Sequence, residues 1–184
     1  MKTESTVMYV LRLAGTLLLI ASVVAVALAG VNMITAPIIE QINYEKTQAA
    51  VNAVLPGGGE LIDFTGADDT GLVQEVYSSE TGYAVKVAPM GFGGAIEMMV
   101  GVDTEGNVLG ISIIKHAETP SLGAVAAASG SAGENFRNSF IGLSGEVLVS
   151  KDGGQADTIA SATITSRAIA VGVNAALSCV ANLG

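Results

Sequence analysis

Hydrophobic positions are laid along this chain in two different ways. Across residues 13–39 they run without a single charge, "LAGTLLLIASVVAVALAGVNMITAPII". Further on they recur at intervals, between polar residues and glycine-rich breaks. A bilayer core takes about 20 consecutive apolar residues of helix, and residues 13–34 supply them. The run exceeds the apolar core of roughly 7–15 residues in a secretory signal. Although "ALAG" at residues 27–30 offers a cleavage-like site, an uncleaved anchor is expected. The chain therefore divides into residues 1–36, a cytoplasmic stub with a transmembrane helix, and residues 37–184, one extracytoplasmic domain long enough for its own core.

After the anchor, "TAPIIEQINYEKTQAAVNAVLPGGGE" reads as helix. Pro37 suits a first turn or a kink in one continuous helix; Pro56 and the glycines after it end the segment. Residues 60–80 are polar and show no clear period. Three alternating runs follow. Tyr83, Val85 and Val87 share a face opposite Lys86; Ile96, Met98, Val100 and Val102 share another; Leu109, Ile111 and Ile113 a third. Glu105-Gly106-Asn107 between the last two predicts an antiparallel hairpin, and "PMGFGG" a tight link between the first two. "AETPSLGAVAAASG" reads as a short helix or a loop feeding one, "ENFRNSFIGL" as another helix, and "GEVLVSKDGGQAD" as a short strand and turn. At the end, Ile169, Val173, Ala176 and Val180 fall at i, i+4, i+7 and i+11, with Arg167, Asn174 and Ser178 elsewhere round the turn. That is an amphipathic helix of about four turns. Central strands with helices at both ends make the fold class α+β.

Charge adds an orientation and removes one class of partner. Lys2 and Arg12 precede the span and Glu40 is the first charge after it, which places the N-terminus in the cytoplasm. From residue 37 onward, six lysines and arginines face sixteen aspartates and glutamates. So acidic a domain does not suit nucleic acid, whose phosphates call for clustered cations. The lone cysteine, Cys179, excludes an intrachain disulfide and reads as a packed small residue. His116, the one histidine, has no metal-ligand spacing with it and no nucleophile that sequence nominates as its partner.

Chemistry concentrates in "DTIASATITSRAI", residues 157–169, where five hydroxyls fall within nine positions. Asp157 or Ser161 could cap the first turn of the last helix. The same helix start offers free amides and a partial positive charge to a phosphate. A threonine hydroxyl there could meet that phosphate or carry it covalently, with small neighbours (Ala160, Ser161, Ala162) permitting close approach.

"DTIASAT", residues 157–163, resembles the flavin-attachment motif of the FMN-binding domain family, Asp-x-x-[Ser/Thr]-Gly-Ala-Thr. Asp157, Ala162 and Thr163 match; Ala160 stands where Ser or Thr is usual and Ser161 where Gly is usual. In that family a dedicated flavin transferase joins FMN to the last threonine through a phosphoester, so the resemblance implies Thr163 as acceptor, with Thr165 next in line. "MGFGGAIEMMVGVDTEGNVLGISIIKHAETPSLG", residues 90–123, resembles the domain core of the G subunit of Rnf electron-transport complexes and of the C subunit of sodium-translocating NADH:quinone reductase. Within it "HAETPSLG" is close to the family's His-x-Glu-Thr-Pro-Gly-Leu-Gly, with Ser121 replacing Gly. The resemblance implies a twisted antiparallel sheet with flanking helices, and makes Glu118, Thr119, Leu122 and Gly123 candidates to line the isoalloxazine. On residues alone "ETP" is a structural turn, and Gly91, Gly93 and Gly94 are turn glycines that also permit backbone to approach a ring.

The implied function is a membrane-anchored, covalently flavinylated electron carrier of an Rnf-type ferredoxin:NAD⁺ oxidoreductase that moves Na⁺ or H⁺, without independent turnover. Its partners would be the other integral membrane and redox subunits, contacted through a span whose Ala21, Ser22, Ala25 and Ala29 permit close helix packing. The lack of an extended insertion makes the chain more similar to the Rnf G subunit than to the quinone reductase's C subunit. A flavin redox sensor or assembly module is an alternative that keeps the domain, and a pilin-type filament protein is one that keeps only the long first helix. Residues 1–10 lack the glycine-terminated leader that a pilin needs.

Overall fold

A computed structural model describes residues 3–183; Met1 and Lys2, and with them one of the two orienting cations, lie outside the described residues. The chain falls into two compact units, residues 1–45 and 46–184.

The first unit is helix. α1 runs Thr3–Val54 without interruption and contains Pro37, so the reading of one continuous helix holds and the reading of a helix that starts at Pro37 does not. Its residues 6–33 are exposed throughout, and this part is long and apolar enough to cross a membrane. Two hydroxyls of α1 turn back on the backbone: Thr16 Oγ1 donates to the Leu13 carbonyl at 2.8 Å and Thr35 Oγ1 to the Val31 carbonyl at 3.0 Å. Donors satisfied within the helix suit a medium that offers no water.

The second unit is an antiparallel sheet in the order β1-β2-β3-β4-β5, made of β1 Glu60–Ile62, β2 Val73–Ser79, β3 Gly82–Val87, β4 Glu97–Asp103 and β5 Val108–Lys115. The three alternating runs are β3, β4 and β5, and the hairpin at Glu105-Gly106-Asn107 joins the last two. Residues 60–80, without period in the sequence, supply β1 and β2. The β2–β3 pairing slips between Val73 and Glu75, and the extra residue breaks the alternation that would have revealed the strand.

One face of the sheet carries Val76, Val85, Val87, Met98, Val100 and Val102, packed with the last helix, α3 Thr163–Leu183, and with Phe136 and Phe140. Ile169, Val173, Ala176 and Val180 all lie in this core, as their spacing predicts. Leu109 does not. The register shifts between Gly101 and Val102, so Val108 takes the inward place and Leu109 is turned out at 36% exposure. The opposite face carries Tyr77, Ala84 and Met99 and is covered by Ala50, Val51 and Val54 of the last turns of α1, with Leu55. β4 is thus buried on both sides.

Between β5 and α3 lie a 3-10 turn at Gly123–Ala127, a short helix α2 Ser131–Asn138, and a second 3-10 turn at Ser150–Asp152. The strand expected in "GEVLVSK" is reduced to one parallel bridge between Val149 and Ala156. Cys179 is fully buried; burial, then the charges of Asp68 and Asp69, push its thiol up from the ordinary range.

Candidate functional site

The five hydroxyls of residues 158–166 have separate fates. Thr158 Oγ1 lies 3.0 Å from Ser150 Oγ, closing the loop ahead of α3. Ser166 Oγ accepts from the Ile159 amide at 3.0 Å and donates to the Ala162 carbonyl at 3.0 Å, pinning that loop to the helix. Thr165 is 2% exposed and its hydroxyl donates to Glu118 Oε2 at 2.5 Å. Ser161 and Thr163 remain; their hydroxyls have no hydrogen-bond partner among the described residues.

Thr163 is the first residue of α3 and is partly exposed. Ala162 stands just before the helix, and neither Asp157 nor Ser161 caps it: their side chains accept no amide of the first turn. A helix start leaves the amides of Thr163, Ile164 and Thr165 without a carbonyl one turn back. Donors and the partial positive end of the helix therefore gather beside an uncommitted hydroxyl.

A cleft of about 310 Å³ opens there. From α3 and its lead-in it is lined by Ser161, Ala162, Thr163, Ile164 and Thr165, and from the turn after β5 by Glu118, Thr119, Leu122 and Gly123. The two stretches singled out in the sequence, some 40 residues apart, thus meet in one place. Asp157 is not brought in. It lies in a separate hollow with Ser121, Val125, Phe136 and Ile159, and its amide donates a hydrogen bond to Ser139 Oγ. Phe92, which the sequence reading passed over, lines the cleft from the loop between β3 and β4. Its signal was a lone aromatic between glycines, 69% exposed where an aromatic would ordinarily be buried. Ile164, 53% exposed, was passed over too. Gly91, Gly93 and Gly94 form the loop that carries Phe92; the Gly91 amide donates to the Gly94 carbonyl at 2.8 Å.

Two backbone positions at the site are unusual. Ser121 and Ser161 both have φ of 62°, the only non-glycine residues with positive φ among those described. They are the positions where the resembled motifs carry glycine.

Phe92, Leu122 and Ile164 give the cleft apolar walls; Thr163 and the amides of the first turn give it one end suited to a phosphate. An apolar slot of this size with a few convergent polar groups is the form of a small-molecule or cofactor site, and a flavin mononucleotide has the matching parts: a flat ring and a terminal phosphate. Arg167, one turn on, is held away by its two-point contact with Asp152, 2.7 Å and 2.6 Å, which keeps the Asp152 carboxyl below the usual range.

Residues 91–178 match the FMN-binding domain family. Over 198 aligned residues, covering 95% of this chain and 93% of the relative, the chain is 31% identical to the G subunit of the Na(+)-translocating ferredoxin:NAD(+) oxidoreductase complex of Acetobacterium woodii. It is 35% identical to the G subunit of the ion-translocating oxidoreductase complex of Stutzerimonas stutzeri, covering 86% of this chain and 75% of that one. Among solved structures, the C subunit of the Na(+)-translocating NADH-quinone reductase from Parabacteroides distasonis shares the fold, with a TM-score of 0.53, 21% identity, and 77% of this chain and 92% of that chain covered. The chain belongs to the G-subunit family of ion-translocating oxidoreductase complexes and carries that family's FMN-binding domain.

Proposed function

We propose that this protein is the covalently flavinylated electron-transfer subunit of an Rnf-type complex, one that couples electron flow between ferredoxin and NAD⁺ to the movement of Na⁺ or H⁺. The observation that carries the reading is the state of Thr163: a partly exposed, uncommitted hydroxyl at a helix start, in a cleft with apolar walls.

FMN held there supplies one- and two-electron redox chemistry. The chain's own residues supply the rest. Thr163 Oγ1 would accept the phosphoester, its proton leaving with the group that the donor flavin nucleotide would release from the same phosphorus. The amides of the first turn of α3 and the helix dipole hold the phosphate charge, while Phe92, Leu122 and Ile164 keep water from the ring. Thr165, buried and bonded to Glu118, is a poor second acceptor; the accessible alternative is Ser161. A flavin transferase is the maturation partner, and integral membrane and redox subunits of the complex are the working ones.

In this reading the protein crosses the cell membrane once, with its N-terminus in the cytoplasm and residues 37–184 on the extracytoplasmic side. Covalent attachment suits that side, since a flavin lost there is not replaced from the cell's pool. The cleft is read as the seat of a carrier, and the isolated chain is expected to show no turnover of its own.

The test is intact-mass measurement and in-gel flavin fluorescence on the full chain made alongside a flavin transferase, for wild type, Thr163→Ala and Ser161→Ala. A mass increase of one FMN moiety in wild type and in Ser161→Ala, and none in Thr163→Ala, is expected. Flavin retained by Thr163→Ala overturns the assignment of the acceptor. A bare wild-type chain overturns the covalent reading and leaves the cluster only the loop-fixing bonds of Thr158, Thr165 and Ser166.

A further inference from the structure

Glu118 is 6% exposed, and its two oxygens face different parts of the chain. Oε1 accepts the Gly93 amide at 2.9 Å; Oε2 accepts the Thr165 hydroxyl at 2.5 Å. Each carboxyl oxygen thus accepts one hydrogen bond from a different element. Among the described residues no cation pairs with it, the salt bridges being Lys86–Glu75, Lys115–Glu97 and Arg167–Asp152. The surroundings are shaped to admit it. A Cβ on Gly91 would strike Oε1, and a Cβ on Gly123 would strike Oε2 and Thr165 Oγ1. Two glycines thus make room for a buried group that an apolar side chain would replace at lower solvation cost.

What the carboxylate joins is informative. Gly93 follows Phe92, one wall of the cleft; Thr165 belongs to the helix turn that carries Thr163 and Ile164, the other wall. Residues two apart on a helix point about 200° from each other, so pinning Thr165 inward turns Thr163 outward. The charge also lies at the wall of the cleft, where it disfavours the added electron density of a reduced ring.

On the reading that this cleft holds the flavin, we propose that Glu118 is a positioning residue: it clamps the glycine loop to the first turn of α3, aims Thr163 into the cleft, and by its charge holds the flavin's reduction potential down.

The test uses the full chain in two states, with the near-isosteric variants Glu118→Gln and Thr165→Val. In the flavin-free chain, amide hydrogen exchange at Gly93 is expected to quicken about tenfold in Glu118→Gln, through loss of a charge-assisted bond, with β3 and β4 unchanged. Exchange at Gly93 equal to wild type overturns the clamp. In the flavinylated chain, the midpoint potential of Glu118→Gln is expected to be more positive than wild type, and that of Thr165→Val, which keeps the charge, to move less. Equal potentials for wild type and Glu118→Gln overturn the proposal. Thr165→Ser, which restores the hydroxyl, is expected to return both readings to wild type. A wild-type chain that never takes up flavin removes the functional reading alone, because the exchange measurement judges the clamp without it.

Discussion

Ser121 and Ser161 occupy equivalent places in two turns of the same design. Thr119-Pro120-Ser121-Leu122 is closed by the Leu122 amide on the Thr119 carbonyl at 3.2 Å, and Ile159-Ala160-Ser161-Ala162 by the Ala162 amide on the Ile159 carbonyl at 3.1 Å. In each, serine takes the third position with positive φ, which type II turns reserve for glycine. The residue that follows each serine, Leu122 or Ala162, lines the cleft. A left-handed residue with a side chain costs about 1–2 kcal/mol, part of which glycine gives back through its more flexible unfolded chain. Ser121→Gly and Ser161→Gly are therefore each expected to stabilise the domain by up to about 1 kcal/mol, read as a higher urea midpoint. A lower midpoint for either would show that the serine side chain contributes more than its backbone costs.

The neighbouring threonines of α3 should separate cleanly in stability. Thr165→Val leaves Glu118 Oε2 without its donor in a buried place, a loss of about 1–3 kcal/mol. Thr163→Ala removes an uncommitted hydroxyl and is expected to stay within about 0.5 kcal/mol of wild type. Urea denaturation of the two flavin-free variants checks the contrast, and equal losses would contradict it.

Acid should weaken the fold through carboxylates held below their ordinary values. At Asp68 burial works upward, but hydrogen bonds from Thr70, Val73 and Gly71 prevail and lower it from 3.8. At Glu75 burial also works upward, and Lys86 with Tyr77 prevails, lowering it from 4.5. Groups with depressed folded values bind fewer protons folded than unfolded. Their contribution is whole above the unfolded values and is lost as pH falls through the folded ones. The thermal midpoint is expected to be nearly level from about pH 7 to 5 and to fall below about pH 4. The Lys86–Glu75 contact of 2.9 Å makes Lys86→Met the variant expected to flatten part of that fall.

How much of this could be read from the chain follows from where alternation survives. β3, β4 and α3 keep theirs, and the residues that spacing selects lie in or against the core, while Ala84 and Met99 on the other face of the sheet do not stand out. β2 was hidden by its bulge and by Glu75, whose charge reads as loop until Lys86 of β3 is seen to pair with it across the strands. Leu109 was misplaced because a second bulge hands its inward position to Val108. At the cleft, residues 118–123 and 161–165 were recognisable as two motifs, yet nothing in their order says which of Thr163 and Thr165 faces out. That depends on Glu118, a partner 47 residues away from Thr165. Phe92 and the separate place of Asp157 depend likewise on the path of loops, which carries no period.

Gly101, in the centre of β4, is where the sheet meets the last turn of α1 most closely. A Cβ there would run into the Val54 backbone carbonyl, which has no side chain to swing aside. Gly101→Ala is expected to cost about 1–3 kcal/mol by overpacking, measured by denaturant unfolding, whereas Gly106→Ala, in open space but at φ of 84°, tests backbone strain alone.

The cover that Ala50, Val51, Val54 and Leu55 lay over Tyr77, Ala84 and Met99 bears on how the folded part can be cut free. An excision that starts anywhere from residue 37 to 45 carries this lid along and should yield a soluble, monodisperse protein. One that starts after Leu55 bares an oily strip down the middle of the meander, and clumping in solution is the expected result.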